Sequence, residues 1–291
     1  MRSDIYNALK IILTTFIFST LIMFLMRKVA VHVGALDVPR KEEGHRHIHK
    51  KVTPKLGAVG IYLSFLFGYM LFGQESIQMN SILIGSFIMI LTGIVDDLNP
   101  IKAYQKLLGQ IAAAAVIVFY GQILLNNITA FGFSIDFGIW AYPITLLFIV
   151  ACSNIINLID GLDGLSSGIS LISCISLLII FLMNDSPMIA TVIVTALSGA
   201  LVGFLPFNFS PAKTFIGDTG SNFLGFMLSV VSILGVAKTY TAAVIVLPVI
   251  VLGLPIFDVI FAIIRRIIKG KSIKAVFKPD KGHLHHKLVA K

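Results

Sequence analysis

Long apolar runs separated by short polar segments form the pattern of this chain. Because about 20 mostly apolar residues cross a bilayer as one helix, the runs predict nine spanning helices. Between the fourth and fifth runs, residues 127–138 alternate apolar and polar positions around glycines, which predicts a small hairpin outside the membrane. The predicted spans are residues 5–26, 56–73, 81–95, 104–124, 139–159, 164–183, 188–206, 219–236 and 242–267.

This pattern predicts an all-α, polytopic transmembrane helical bundle that forms a single domain over residues 1–291. The composition agrees, since 57% of the residues are hydrophobic and only 13% are charged. A soluble domain is about half apolar and about a quarter charged. The soluble globular classes are therefore excluded.

The distribution of basic residues predicts the orientation of the bundle. Of the 23 lysines and arginines, only Arg2, Lys10 and Lys238 fall outside one alternating set of polar connections. The positive-inside rule puts that set in the cytoplasm, with the N-terminus outside and the C-terminus inside. The net charge of +9 lies in these loops between apolar runs, which favours anionic lipid or a polyphosphate as partner over nucleic acid.

Acidic residues on this predicted cytoplasmic side are candidates for metal binding. Asp96 and Asp97 end the third run, and Asp218 follows Gly217 before the eighth. Adjacent carboxylates repel each other unless cations compensate them, and Mg²⁺ prefers oxygen ligands. The competing interpretations are a solvated helix end for Asp96 and Asp97 and a helix cap for Asp218.

The segment Asn154-x-x-Asn157-x-x-Asp160-Gly-x-Asp163-Gly is the second candidate motif. Its spacing puts the first three polar residues on one helix face. Amides near the end of an apolar helix are costly unless they have partners. This favours a binding role over an ordinary Asn/Asp/Gly turn.

Basic and imidazole side chains complete the set of candidates. The first loop carries Arg46, His49 and Lys51, for which binding of lipid headgroups is the default interpretation. No cysteine accompanies His283, His285 and His286, so phosphate binding is favoured over zinc, with a polar tail as the alternative.

Taken together, the five motifs resemble the polyprenyl-phosphate N-acetylhexosamine-1-phosphate transferases, the family of MraY, WecA and TagO. The resemblance covers nearly the whole chain, with the motifs in the expected order. It implies a catalytic domain that moves a sugar-1-phosphate from a UDP-sugar to a polyprenyl phosphate. It also implies Mg²⁺, with Mn²⁺ as the alternative ion, and an active site on the cytoplasmic face of a bacterial plasma membrane.

The resemblance and the motifs together assign roles to individual residues. The predicted catalytic residues are Asp96, Asp97, Asp160, Asp163, His283, His285 and His286. The predicted substrate-binding residues are Arg46, His49, Lys51, Lys106, Asn154, Asn157, Asn208 and Lys213. The predicted metal ligands are Asp218, Asp96 and Asp97.

The histidine motif and the Arg46–His49 loop are most similar to the branch of the family that uses UDP-GlcNAc. A phospho-MurNAc-pentapeptide transferase is the alternative within the family, and a homodimer is left open. Family members usually continue with a further helix after the histidines, so the end at Lys291 predicts that a final helix is lacking. A membrane transporter and a structural membrane protein remain the alternatives outside the enzymes, although the chain shows no internal repeat of the kind many transporters have.

Overall fold

The computed structural model describes residues 2–37, 52–130, 133–184 and 186–236. Within these ranges the chain forms helices joined by short connections, with two small antiparallel sheets. The helices are α1 (Arg2–Val33), α2 (Gly57–Phe72), α3 (Ile77–Leu98), α4 (Ala103–Ala115), α5 (Ala141–Ile159), α6 (Leu165–Met183), α7 (Met188–Asn208) and α8 (Gly217–Val236). The strands are β1 (Leu36–Asp37), β2 (Thr53–Pro54), β3 (Asn127–Ala130) and β4 (Phe133–Asp136).

Six of the described helices are long and apolar enough to cross a membrane, which confirms a membrane-spanning helical protein. They are α1, α3, α5, α6, α7 and α4 together with the π-helical turn Val116–Tyr120 that extends it. The predicted third span was too short, because α3 has 22 residues rather than the 15 of residues 81–95. The predicted ninth span, residues 242–267, lies outside the described residues.

The two sheets pair residues on either side of short loops. The predicted hairpin at residues 127–138 is confirmed, since β3 pairs antiparallel with β4 and Asn127 lies opposite Asp136. The second sheet was not predicted. It pairs Leu36 with Pro54 and Asp37 with Thr53, and so brings the end of α1 close to the start of α2.

Helices α7 and α8 form the interior of the bundle. Helix α7 contacts α1, α2 and α6, while α8 packs against α3 and α5. Small residues permit the close approach, as is typical of helices packed in membranes. Ser19 of α1, for example, donates a hydrogen bond to the carbonyl of Ala200 in α7 at 2.7 Å.

Helices α5 and α8 are in close backbone contact at Gly225. A Cβ atom there would lie 2.5 Å from the carbonyl oxygen of Cys152 and 2.6 Å from the Cα of Ser153. Both neighbours are backbone atoms, so only a separation of the helices could make room. Since α8 begins at the polar residues described below, this contact also fixes where those residues lie.

We expect Gly225→Ala to lower the stability of the bundle by about 1–3 kcal/mol, the usual cost of overpacking a tight contact. The matched control is Gly168→Ala in α6, where a Cβ atom would meet nothing within 4 Å. That change should be neutral or stabilise by up to about 1 kcal/mol, because alanine favours the helix. Thermal unfolding in detergent can be followed with a thiol-reactive dye, since Cys152 and Cys174 are both buried. Equal melting temperatures for the two variants would contradict the close contact.

Candidate active site

Eight helix termini meet at one end of the bundle, which we call the polar end. It is formed by the C-termini of α1, α3, α5 and α7 and the N-termini of α2, α4, α6 and α8. A cavity of about 240 Å³ opens there. The polar residues that line it are Asp37, Lys55, Asp97, Asp160, Asp163, Asn208 and Asp218. Five of the predicted site residues are thus brought to one cavity.

Lys106 joins two of the predicted metal ligands. Its Nζ atom lies 3.1 Å from Oδ2 of Asp96 and forms an ion pair with Asp218. The other oxygen of Asp96 accepts a hydrogen bond from the backbone of Ile101 at 3.1 Å. The Asp218 side chain is 48% exposed, whereas that of Asp96 is only 13% exposed. Asp218 is therefore the carboxylate of this group that a ligand in the cavity can reach.

Asp97 has a different partner, the N-terminus of α8. Its two carboxylate oxygens accept hydrogen bonds from the backbone N–H groups of Asp218 and Thr219, both at 3.2 Å, and from the Thr219 hydroxyl at 2.5 Å. A carboxylate at this position is stabilised by the unpaired N–H groups and the dipole of the helix. The cap of α8 thus comes from Asp97 in α3, and the interpretation of Asp218 as the helix cap is wrong.

Gly217 makes the approach of Asp97 to α8 feasible. Its φ is +68°, and a Cβ atom there would lie 2.6 Å from Oδ2 of Asp97. Glycine adopts this left-handed conformation without steric cost and leaves room for the carboxylate.

Asp160 and Asp163 support the connection between α5 and α6. Asp160 follows the last residue of α5 and accepts a hydrogen bond from the Ser166 hydroxyl at 2.6 Å. Burial raises the pKa of Asp160 to about 7, and the Ser166 hydrogen bond only partly opposes this. Asp163 accepts a hydrogen bond from the backbone N–H of Ala212 at 2.9 Å, which ties this connection to the segment before α8.

The predicted asparagines are engaged in contacts between helices. Asn157 of α5 donates to the Ser221 hydroxyl of α8 at 2.9 Å. Asn208 is buried at the end of α7, where it accepts from Ser167 of α6 at 2.6 Å and donates to the carbonyl of Thr214 at 3.0 Å.

Asn154 donates to both Gln110 of α4 and the carbonyl of Val150. Both hydrogens of its side-chain amide are thus used inside the protein. Its predicted role in binding substrate stays a prediction.

Other predicted residues are not brought to the cavity or are not described. Lys213 is exposed and does not line the cavity. Arg46, His49, Lys51, His283, His285 and His286 lie outside the described residues.

The sequence analysis missed Lys55, which lines the cavity and pairs with Asp37 at 3.1 Å. It also missed Gln110, Asn222 and Ser166. Asn222 could have been found, because it lies one helical turn after Asp218, on the same side of the helix.

The donor set at the polar end fits a Mg²⁺ ion. In the described residues no group of three or more histidines, cysteines or acids forms a complete metal site. Mg²⁺ needs only one or two protein carboxylates when substrate phosphates supply further ligands. Asp96 and Asp218 already hold one cation between them, the ammonium group of Lys106. Asp218, whose side chain is half exposed, would hold the ion, because both oxygens of Asp96 and of Asp97 are bonded within the protein.

Comparisons with known proteins agree with the resemblance drawn from the motifs. The model of glycosyl transferase family 4 matches residues 79–236. A probable undecaprenyl-phosphate N-acetylglucosaminyl 1-phosphate transferase of Bacillus subtilis (strain 168) is 39% identical, over 91% of this chain and 73% of the relative. A phospho-N-acetylmuramoyl-pentapeptide-transferase of Thermotoga neapolitana is 33% identical, over 86% and 81%. A decaprenyl-phosphate N-acetylglucosaminephosphotransferase of Mycobacterium tuberculosis is 31% identical, over 91% and 71%.

The raised pKa of Asp160 predicts a pH-dependent effect of Asp160→Asn on stability. Folding favours the protonated carboxyl, so its contribution is complete below pH 3.8 and is lost as the pH rises to about 7. Asparagine resembles the protonated acid and has no such loss. We therefore expect the melting temperature of Asp160→Asn, relative to the unchanged protein, to be higher at pH 8 than at pH 5 without Mg²⁺ or substrate.

Asp136→Asn, on the exposed hairpin, controls for the loss of one acidic charge. A melting-temperature difference between Asp160→Asn and the unchanged protein that is the same at pH 5 and pH 8 would show that the Asp160 carboxyl is already ionised at pH 5 in the folded protein.

Proposed function

The chain belongs to glycosyl transferase family 4, and from this premise we propose that it is an N-acetylglucosamine-1-phosphate transferase. Its donor is UDP-GlcNAc and its acceptor is undecaprenyl phosphate or a similar polyprenyl phosphate. The products are UMP and a lipid-linked diphospho-GlcNAc, the first membrane-bound intermediate of a cell-wall or surface polymer. The Bacillus subtilis relative, a probable undecaprenyl-phosphate N-acetylglucosaminyl 1-phosphate transferase, supports the proposal at 39% identity.

The observation that carries the proposal is the group formed by Asp96, Lys106 and Asp218 beside the cavity. A UDP-sugar and a lipid phosphate are both anionic, so their reaction needs cations close to the phosphates. Lys106 supplies one positive charge. A Mg²⁺ ion held by Asp218 would supply further positive charge and lower the repulsion between the two substrates.

The reaction forms one bond and breaks one bond at the sugar-bearing phosphorus. An oxygen of the lipid phosphate attacks this phosphorus, and the bond to the oxygen of the departing UMP breaks. Asp96 or Asp97 accepts the remaining proton of the lipid phosphate or orients that phosphate. Asp97 lines the cavity, whereas Asp96 is paired with Lys106 beside it.

The cavity also offers groups for binding the donor. Lys55 and Asn208 line it, and the connections that follow α5 and α7 form its walls. Asn157, Asp160 and Asp163 fix the positions of these connections. The proposal therefore gives them a supporting role in substrate binding rather than a role at the reacting phosphorus.

The proposed topology has nine spanning helices over residues 1–291, with the N-terminus outside and the polar end in the cytoplasm. It rests on the positive-inside rule and on the alternation of apolar runs. UDP-sugars are cytoplasmic metabolites, so a cytoplasmic polar end would give the donor direct access to the cavity.

A phospho-MurNAc-pentapeptide transferase is the second candidate, because the Thermotoga neapolitana relative is 33% identical. The two candidates differ in the donor alone. We expect purified protein with undecaprenyl phosphate and Mg²⁺ to convert radiolabelled UDP-GlcNAc into an organic-extractable product, and to leave UDP-MurNAc-pentapeptide unchanged. Conversion of the pentapeptide donor alone would select the second candidate, and conversion of neither would contradict both.

We expect Asp218→Asn to lower the rate of UMP release by about 100-fold or more, because it removes the accessible carboxylate that would hold Mg²⁺. Lys106 keeps its ion pair with Asp96 in this variant, so the protein should remain folded. The control is Asp136→Asn on the exposed hairpin, which should retain the full rate. An unchanged rate in Asp218→Asn, with folding verified by thermal unfolding, would exclude Asp218 as a metal ligand.

A further inference from the structure

Three side-chain amides form a hydrogen-bonded network inside the bundle, with Gln110 at its centre. Gln110 of α4 donates to Oδ1 of Asn222 in α8 at 2.8 Å and accepts from Asn154 of α5 at 2.7 Å. Gln110 and Asn222 are only 2% and 3% exposed. Asn222 in turn donates to the carbonyl of Asp218 at 2.7 Å. One network thus connects α4, α5 and α8.

The network lies one helical turn from the Lys106–Asp218 ion pair. Gln110 follows Lys106 by four residues on α4, and Asn222 follows Asp218 by four residues on α8. Residues four apart lie on the same helix face. The amide pair and the ion pair therefore form two successive layers between the same two helices.

Helix α4 reaches α8 through these side chains. Its backbone packs against α3 and α5, whereas the contacts to α8 that involve Lys106 and Gln110 are polar. The ammonium group of Lys106 ends a flexible chain and can bind carboxylates at many heights. The buried amide of Gln110 is restricted, because any shift of α4 along α8 would leave its donors and acceptors unpaired, at about 1–3 kcal/mol each.

We propose that Gln110 is a positioning residue that sets the register of α4 against α8. By fixing this register it holds Lys106 against Asp218, one turn closer to the cavity. The register is a property of the protein without substrate, so it does not depend on the proposed function. Only the consequence for turnover rests on that function.

The test measures how strongly Lys106 and Asp218 are coupled. Lys106→Met, Asp218→Asn and the double variant are each made in two backgrounds, the otherwise unchanged protein and Gln110→Met. The shift in melting temperature that each variant causes is measured relative to its own background. In the unchanged protein the two single shifts should not add, because both remove the same ion pair. With Gln110→Met the shifts should become nearly additive, since Lys106 is no longer held opposite Asp218.

Ile117→Val provides the control background. Ile117 is completely buried and lies shortly after α4, but it is not part of the amide network. It should lower stability while leaving the coupling between Lys106 and Asp218 intact. If Gln110→Met lowers the melting temperature but leaves this coupling unchanged, Gln110 is only a structural residue and the proposal is wrong.

Gln110→Asn covers the case in which Gln110→Met does not fold. It keeps an amide but is one methylene group shorter, so it cannot span the distance to Asn222 and Asn154 together. The coupling between Lys106 and Asp218 should also fall in the Gln110→Asn background. A coupling equal to that in the unchanged protein would overturn the proposal. If the unchanged protein converts no UDP-sugar but the coupling responds as expected, only the proposed function fails.

Turnover gives a separate measurement that depends on the proposed function. We expect Gln110→Met to lower kcat by up to about 100-fold through misplacement of Lys106. The KM for UDP-GlcNAc should change much less, because the cavity residues Lys55 and Asn208 belong to other elements. A change in KM alone, with kcat retained, would contradict a role in positioning Lys106.

Discussion

Compensation of negative charge is the constraint on which the polar end of this bundle depends. Several carboxylates lie close together where apolar helices end, and each would be costly there without a partner. Asp97 is compensated by the N-terminus of α8, and Asp96 and Asp218 are compensated by Lys106. Burial raises the pKa of Asp160 to about 7, and its acidic neighbours add to this effect. The acids of one cavity therefore have different electrostatic surroundings.

These acids are all aspartates, so the difference between their roles comes from the groups that each one contacts. Asp97 accepts hydrogen bonds from the N-terminus of α8. It therefore contributes to the site by fixing the position of Asp218 in the first turn of that helix. Asp218 is half exposed and is available to a ligand in the cavity. Two acids that are adjacent in the sequence, Asp96 and Asp97, consequently face different elements and are suited to different tasks.

The sequence predicted most of the helices because long apolar runs are a strong signal. The predicted third span covered only residues 81–95, because the polar residues Gln78 and Asn80 precede that apolar run and Asp96 follows it. In the structure all three belong to α3. The acids of the site were found because their types and positions are unusual. Their partners were not found, since the N–H groups that bind Asp97 are more than 100 residues distant in the chain. Only the packing of α3 on α8 brings them together.

The buried amides of the helices supply a specificity that apolar packing in a membrane lacks. Lipid tails are as apolar as leucine, so burial of apolar side chains does little to choose one helix register over another. Hydrogen bonds between Gln110, Asn154 and Asn222 favour one register, because a shift of α4 along α8 would break them. A site that must hold Lys106 opposite Asp218 needs a fixed helix register near the reacting groups. The cost of burying amides in an apolar bundle is thereby offset by the accuracy with which the charged layer above them is held.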